Sequence, residues 1–391
     1  MEVYVTKFNY RINFYSIFTK LQYAILMKYY ICCILTVLIL LGLGSCNDSK
    51  FYSVDLTYET SDPENKDSLF RELTIKNYSE IRNILCTDKY LIIIQNCNDT
   101  IFKILDVTND SIIACFGQVG HAKNEFSQVP FFYYTTSDEV GNKLLCVQEH
   151  NITKVIDLEK SIQNNKCILK RLISENYPPT THASFYITPQ NKVVDKKVSA
   201  QDYRDSYREK PMYIYYKGKN EEKKWEIYPQ MVNTDEPDLL SFLYVDQFYV
   251  KNDGSKALSM MKLIDYITIF DFNTYKTSGI VDANSYNFDF LNDEITSKNC
   301  MEKIKIYNMA ASVTDERIFI LKDGRLYKEM LEASDDIFPS HLNVYNWEGK
   351  LLSCFIMDKT LWDIAYVKYT NALYGVSFNN DAIYKYKLKN E

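Results

Sequence analysis

The sequence predicts an all-β protein and, within that class, a six-bladed β-propeller whose ring is closed by an N-terminal strand overlapping the last blade. Three observations carry this expectation. The apolar segments are short, about 5 to 8 residues, rich in Ile, Val, Tyr and Phe, and mostly bounded by Asn, Asp or Gly. Strand–turn–strand phrases recur along the chain. Among 391 residues there are 33 Tyr and 21 Phe but only 9 Pro and 11 Gly. Flat side chains that pair well across strands are therefore plentiful, and a Pro-rich stalk or Gly-rich linker is absent.

The first element is an address and not part of the fold. Tyr29 to Leu43 is the longest apolar run. At about 1.5 Å per residue it spans about 22 Å, short of the roughly 30 Å hydrocarbon core. Met27 and Lys28 precede it, and Leu43-Gly44-Ser45-Cys46 ends it. Small residues before a cysteine, after a short apolar run with a positive flank, resemble a bacterial lipoprotein signal. In that signal the thiol is lipidated and the chain is cut just before it. The resemblance makes Cys46 the lipidation site. It divides the chain into an extension and signal (1–45), a mature N-terminus carrying the ring-closing strand (46–79) and the propeller (80–391). Such processing is excluded from fold reasoning.

The strand candidates follow in order. They include YLIIIQN, TIFKILDV, SIIACFG, KLLCVQE and ITKVIDL between Tyr90 and Leu158. ERIFILK, HLNVYNW, KLLSCFIM, NALYGVSF and AIYKYKL follow between Glu316 and Leu388. Four phrases share a pattern: Ile101–Gly117, Ile152–Leu172, Tyr266–Val281 and Leu342–Ile356. In each, a first strand ends on ILD, VID, IFD or VYN, whose Asp or Asn side chain can accept a backbone N–H and start a turn. Hairpins that recur once per blade length favour a propeller over a β-sandwich. About 346 residues remain after Cys46, roughly 58 per blade for six blades. The blades fall near 80–126, 127–176, 180–234, 238–295, 300–358 and 359–391. The last holds three strands, and the fourth is expected from Phe51–Tyr58 or Leu69–Ile75.

Two phrases carry a family resemblance. Phe116 to Gln128, FGQVGHAKNEFSQ, resembles F-G-x-x-G-x-G-P-G-E-F at Phe116, Gly117, Gly120, Glu125 and Phe126. Ala122, Lys123 and Asn124 stand where the family has Gly-Pro-Gly, so the turn is expected to lean on Asn124. Leu342 to Leu388 resembles the closing strands of the same family. The family is the six-bladed TolB-like or NHL-like propeller lipoproteins of Bacteroides and related bacteria. The resemblance implies a place in the bacterial cell envelope, the outer membrane ahead of the inner, with the propeller outside the cytoplasm.

Chemistry is sparse. The four histidines, His121, His150, His182 and His341, form no HxH or HExxH pair, and no nucleophile elbow, Walker A or GxGxxG phrase occurs. No catalytic residue, cofactor or metal site is expected. The net charge of −6 argues against nucleic acid, which needs a basic face. Seven cysteines follow Cys46. Most sit beside apolar neighbours and read as buried thiols, with a Cys86–Cys97 bridge left open. The function expected is a membrane-anchored binding or scaffold module for an envelope protein or glycan. The alternative is a metal-dependent lyase or lactonase working in the central channel. Partner contacts are expected on the polar inserts 191–210, 217–226 and 282–298, anchored by Tyr203, Tyr207 and Trp225.

Overall fold

The apolar phrases fold as strands, and the strands as antiparallel meanders. The computed structural model describes residues 56–60, 67–75, 80–130, 132–149, 152–174, 184–187, 193–197, 212–217, 220–225, 239, 242–282, 296–332, 339–377 and 381–388. All lie in the second of two compact units, Tyr52–Glu391.

The N-terminal strands are β1 (Leu56–Thr60), β2 (Asp67–Leu69) and β3 (Leu73–Ile75). The first meander is β4 (Ile81–Cys86), β5 (Tyr90–Gln95), β6 (Phe102–Asp106) and β7 (Ser111–Phe116). The second is β8 (Phe132–Ser137), β9 (Lys143–Glu149), β10 (Ile152–Asp157) and β11 (Leu169–Ser174), with helix α1 (Leu158–Asn164) before its last strand. Then come β12 (Ser184–Ile187), β13 (Val193–Lys197), β14 (Met212–Lys217) and β15 (Asn220–Trp225). The sheet of β16 (Asp246–Val250), β17 (Lys256–Met261), β18 (Tyr266–Asp271) and β19 (Thr277–Asp282) follows. Helix α2 (Ser297–Lys303) leads to β20 (Asn308–Val313) and β21 (Arg317–Lys322). Helix α3 (Tyr327–Glu332) precedes β22 (His341–Asn346) and β23 (Leu351–Met357), which complete that sheet. The last sheet is β24 (Leu361–Val367), β25 (Ala372–Ser377) and β26 (Ile383–Lys387), joined by β3.

Side-chain alternation turns these sheets into radial blades. Along β5, Ile92 and Ile94 pack with Leu145, Val147 and Ile156 of the β8–β11 sheet. Leu91 and Ile93 point the other way and pack with Ala365, Tyr374 and Val376 of the β24–β26 sheet. A period-2 strand that buries both faces needs a neighbour on each side, which is the propeller arrangement. Each fully buried Leu or Ile contributes roughly 1.5–3 kcal/mol, and none of that is available to a blade alone.

Two expectations about the ring are corrected. Among the described residues the axis is walled by the first strands of five blades, β4, β8, β16, β20 and β24, and not by six equivalent blades. The β12–β15 sheet meets its neighbour through its outer pair of strands. Tyr213 stacks on Phe248 at 4.9 Å, and Trp225 meets Phe270 edge-on at 5.2 Å. Counting hairpins treats every meander as equal, which packing does not.

Closure by a single overlap in the last blade is also corrected. The N-terminal strands are shared among three sheets: β1 lies parallel on β19, β2 parallel on β23 and β3 antiparallel on β26. They form a belt. Two parallel additions and one antiparallel one thus cover successive outer edges that would otherwise expose unpaired backbone.

The turn residues behave as their chemistry requires. The Asp106 carboxylate accepts from the Thr108 N–H at 2.8 Å, and that of Asp271 from the Asn273 and Thr274 N–H groups at 2.9 Å. Asn346 Oδ1 accepts from the Lys350 N–H at 2.8 Å, with Gly349 at φ +81°. The fourth such residue, Asp157, instead caps α1 by accepting from the Lys160 N–H at 3.1 Å. In the Phe116–Gln128 phrase the left-handed residue is Gly117 at φ +82°, and Asn124 is not left-handed. The Glu125 carboxylate closes this loop, accepting from the Ala122 N–H at 2.8 Å and Gln118 Nε2 at 2.5 Å. Phe126, fully buried, locks it against Phe102 at 5.6 Å.

Candidate functional site

The first strand of each blade pairs with its own sheet along one edge and turns the other toward the axis. Backbone groups on that free edge need partners once water is excluded. Side chains of adjacent blades supply them in sequence around the channel. The Tyr249 hydroxyl on β16 accepts from the Ala311 N–H on β20 at 3.0 Å. Ser312 Oγ on β20 accepts from the Tyr366 N–H on β24 at 2.9 Å. Asp363 on β24 accepts from the Ile84 N–H on β4 at 2.7 Å, and Cys86 Sγ donates back to the Tyr366 carbonyl at 3.1 Å. Thr135 Oγ1 on β8 donates to the Cys86 carbonyl at 3.2 Å. Arg82 Nη1 donates to the Val129 and Pro130 carbonyls just ahead of β8, each at 3.2 Å.

Inside this wall is a cavity of ≈ 130 Å³, lined by Cys86, Tyr134, Thr135, Tyr249, Ser312 and Tyr366 among others. Its rim at the strand ends carries an Asp88–Lys143 ion pair at 3.0 Å.

The strand-start end has a different character. Asp363 is 3% exposed, and its second oxygen accepts from its neighbour Ile364 N–H at 2.9 Å. Burial outweighs both backbone bonds and the nearby Lys262 ammonium, pushing the carboxyl up to about 7. Burial lowers the Lys262 ammonium, against the opposing pull of Asp363. The Tyr133 phenol is pushed up by burial and then by Asp363, with Arg82 opposing. Cys86 is pushed up to about 11 by burial, despite its hydrogen bond with Ser312.

Both Asp363 oxygens are engaged by backbone N–H groups, so this carboxyl is not placed as a general base. The Cys86 thiol is a donor, not a thiolate nucleophile. Among the described residues no three His, Cys, Asp or Glu side chains gather as a metal group, so the channel-metal route to an enzyme has no ligands there.

Of the residues singled out from sequence, Cys46, Tyr203 and Tyr207 lie outside the described residues. Trp225 is described, and its expected role is corrected. It is 5% exposed, ringed by Tyr215, Phe270 and Phe272, and its indole N–H donates to the Tyr275 carbonyl at 3.3 Å. A tryptophan so enclosed is a packing residue. Trp347 is likewise buried and donates to the Thr314 carbonyl at 2.8 Å. Cys86 and Cys97 are free thiols, as are the other five cysteines among the described residues. Asp363, Lys262, Arg82 and Ser312 escaped the sequence reading. Their one signal was an aspartate within the apolar run LWDIAYV.

No family model matches this chain, and no curated protein matches it. Among solved structures, it is similar to the β-propeller domain of Cps50 (Swd1) from Myceliophteria thermophila. Identity is 9% and the TM-score 0.40, over 81% of this chain and 99% of that one. The resemblance to six-bladed TolB-like or NHL-like Bacteroides lipoproteins is corrected: no family model matches this chain, and five blades, not six, wall the axis among the described residues.

Proposed function

We propose that this chain is an interaction module, held at a bacterial membrane by lipid on Cys46 and engaging an envelope protein or glycan. The β-propeller fold is consistent with a scaffold or protein-interaction role. One observation carries the reading: Tyr249, Ser312, Asp363, Cys86 and Thr135, on the strands that wall the axis, are bonded to the backbone of adjacent blades. A rigid ring results, whose channel mouths and connecting loops are left for recognition. The polar inserts 191–210 and 282–298, with Tyr203 and Tyr207, remain the proposed contact sector, without Trp225.

The test is crosslinking in intact cells from photoreactive residues placed at Asp88, Asn252 and Tyr203, read by mass spectrometry of the captured species. A specific partner, lost from the membrane fraction in Cys46→Ala, is the expected result. Absence of any specific partner from all three positions overturns the reading.

A further inference from the structure

The axial cavity opens at the ends of the strands that wall it. Ser137 ends β8, Asp88 follows β4, Asn252 follows β16, Asp315 follows β20 and Lys368 follows β24, and all of them line it. Its volume of ≈ 130 Å³ holds about ten atoms the size of a water, at about 10–15 Å³ each. That is the room of a single sugar ring, not of a folded peptide.

The polar lining changes character with depth. Deeper in, the hydroxyls serve the ring itself. Tyr249 donates to Gln247 Oε1 at 2.8 Å and accepts from the Ala311 N–H, while Ser312 and Thr135 are bonded to adjacent blades. Ile84, Val250, Val313 and Ala365 stand among them, so the inner wall offers apolar surface and hydroxyls already bonded. At the mouth the reverse holds. Among the described residues the Ser137 hydroxyl, the Asn252 amide and the Asp315 carboxylate have no hydrogen-bond or ion-pair partner.

These free groups select the ligand. Both ammonium groups of the lining are already held, Lys143 by Asp88 at 3.0 Å and Lys368 by Glu316 at 2.6 Å, so the lining spares no cation for an anion. Asp315 acts on Lys368 without bonding it and is exposed, so a cation would meet only a charge screened by water. The carboxylate accepts hydrogen bonds, and the hydroxyl and amide both give and accept them. Neighbouring hydroxyls on one ring match that set, and the C–H face of the same ring matches the apolar wall.

We propose that this mouth binds a neutral sugar residue, its hydroxyls held by Ser137, Asn252 and Asp315 and its ring seated in the axial cavity. The inference rests on the interaction-module reading and deepens it by placing the end of a glycan in the channel, apart from the polar inserts.

The experiment is calorimetric titration of the purified protein with D-glucose, D-galactose, D-mannose and N-acetyl-D-glucosamine. Methylammonium chloride and sodium acetate serve as charged contrasts. Saturable binding of at least one sugar is expected, weakened roughly tenfold in Asn252→Ala and in Asp315→Ala. Because no charge is matched, affinity should change less than about twofold between about 0.05 and about 0.5 M NaCl. Ser137→Trp, which fills the mouth, should abolish binding. Asn252 and Asp315 lie on turns outside the strands, so their variants should melt with wild type. No saturable sugar binding, affinity unchanged in both turn variants, or tighter binding of methylammonium or acetate overturns the inference. If Ser137→Trp fails to fold, the turn variants decide it alone. A protein captured in cells without sugar binding in vitro overturns this inference alone, whereas no captured species overturns the module reading.

Discussion

Replacing Asp363 by asparagine should flatten the stability of the protein between about pH 4 and about pH 7 relative to wild type. The carboxyl is buried between β24 and β4, and its folded value is raised from 3.8 to about 7. A raised acid binds its proton more tightly in the folded state. Its contribution is therefore fully present below about pH 4, is lost as pH climbs to about 7, and stays lost above. A carboxyl titrating about three pH units late corresponds to about 4 kcal/mol, at about 1.4 kcal/mol per unit, as an upper bound. Asparagine keeps one acceptor for the Ile84 N–H but has none for Ile364, which costs about 1 kcal/mol at every pH. The variant should thus be slightly less stable near pH 4 and more stable by up to about 3 kcal/mol near pH 8. Urea unfolding of both proteins across this range measures it. Subtracting the curves removes the opposite slope from carboxylates whose folded values are lowered, such as Asp138 beside Lys170 and Asp253 beside Lys251. A difference that stays constant with pH refutes the burial argument.

Two further outcomes follow from the packing. Trp225→Ala should cost about 3–5 kcal/mol of stability in denaturant unfolding, because a large enclosed ring is lost. A loss under about 1 kcal/mol would return Trp225 to the surface. Burial pushes the Cys86 and Cys167 thiols up to about 11 and Cys146 up to about 12. Peptide mapping after iodoacetamide treatment near pH 8 should find all three unmodified in native protein and alkylated after unfolding. Rapid native labelling of Cys146 would contradict its enclosure.

The turns were legible because their chemistry is local. ILD, IFD and VYN place an acceptor two to four residues before the N–H groups that it captures, a relation contained in the sequence. VID carries the same signal but opens helix α1, since Asp157 caps a helix with the same geometry by which it would start a turn. The candidate site was not legible. Asp363 and Ile84 lie 279 positions apart, and Cys86 and Tyr366 lie 280 apart. No spacing rule links such residues. Trp225 misled for a related reason: its charged neighbours Lys223 and Lys224 are exposed, while the ring turns inward.

Composition, strand length and the Asx turns thus determined that this chain is all-β and built of meanders, because each depends on neighbours within a few residues. The tertiary structure decided which meanders wall the axis, how β1, β2 and β3 are shared among three sheets, and that Asp363 meets Ile84 and Ser312 meets Tyr366 across blades. Radial packing decides all of these: a strand's inward edge and both its faces are satisfied by blades far away in sequence, so its partners are fixed only when the ring assembles.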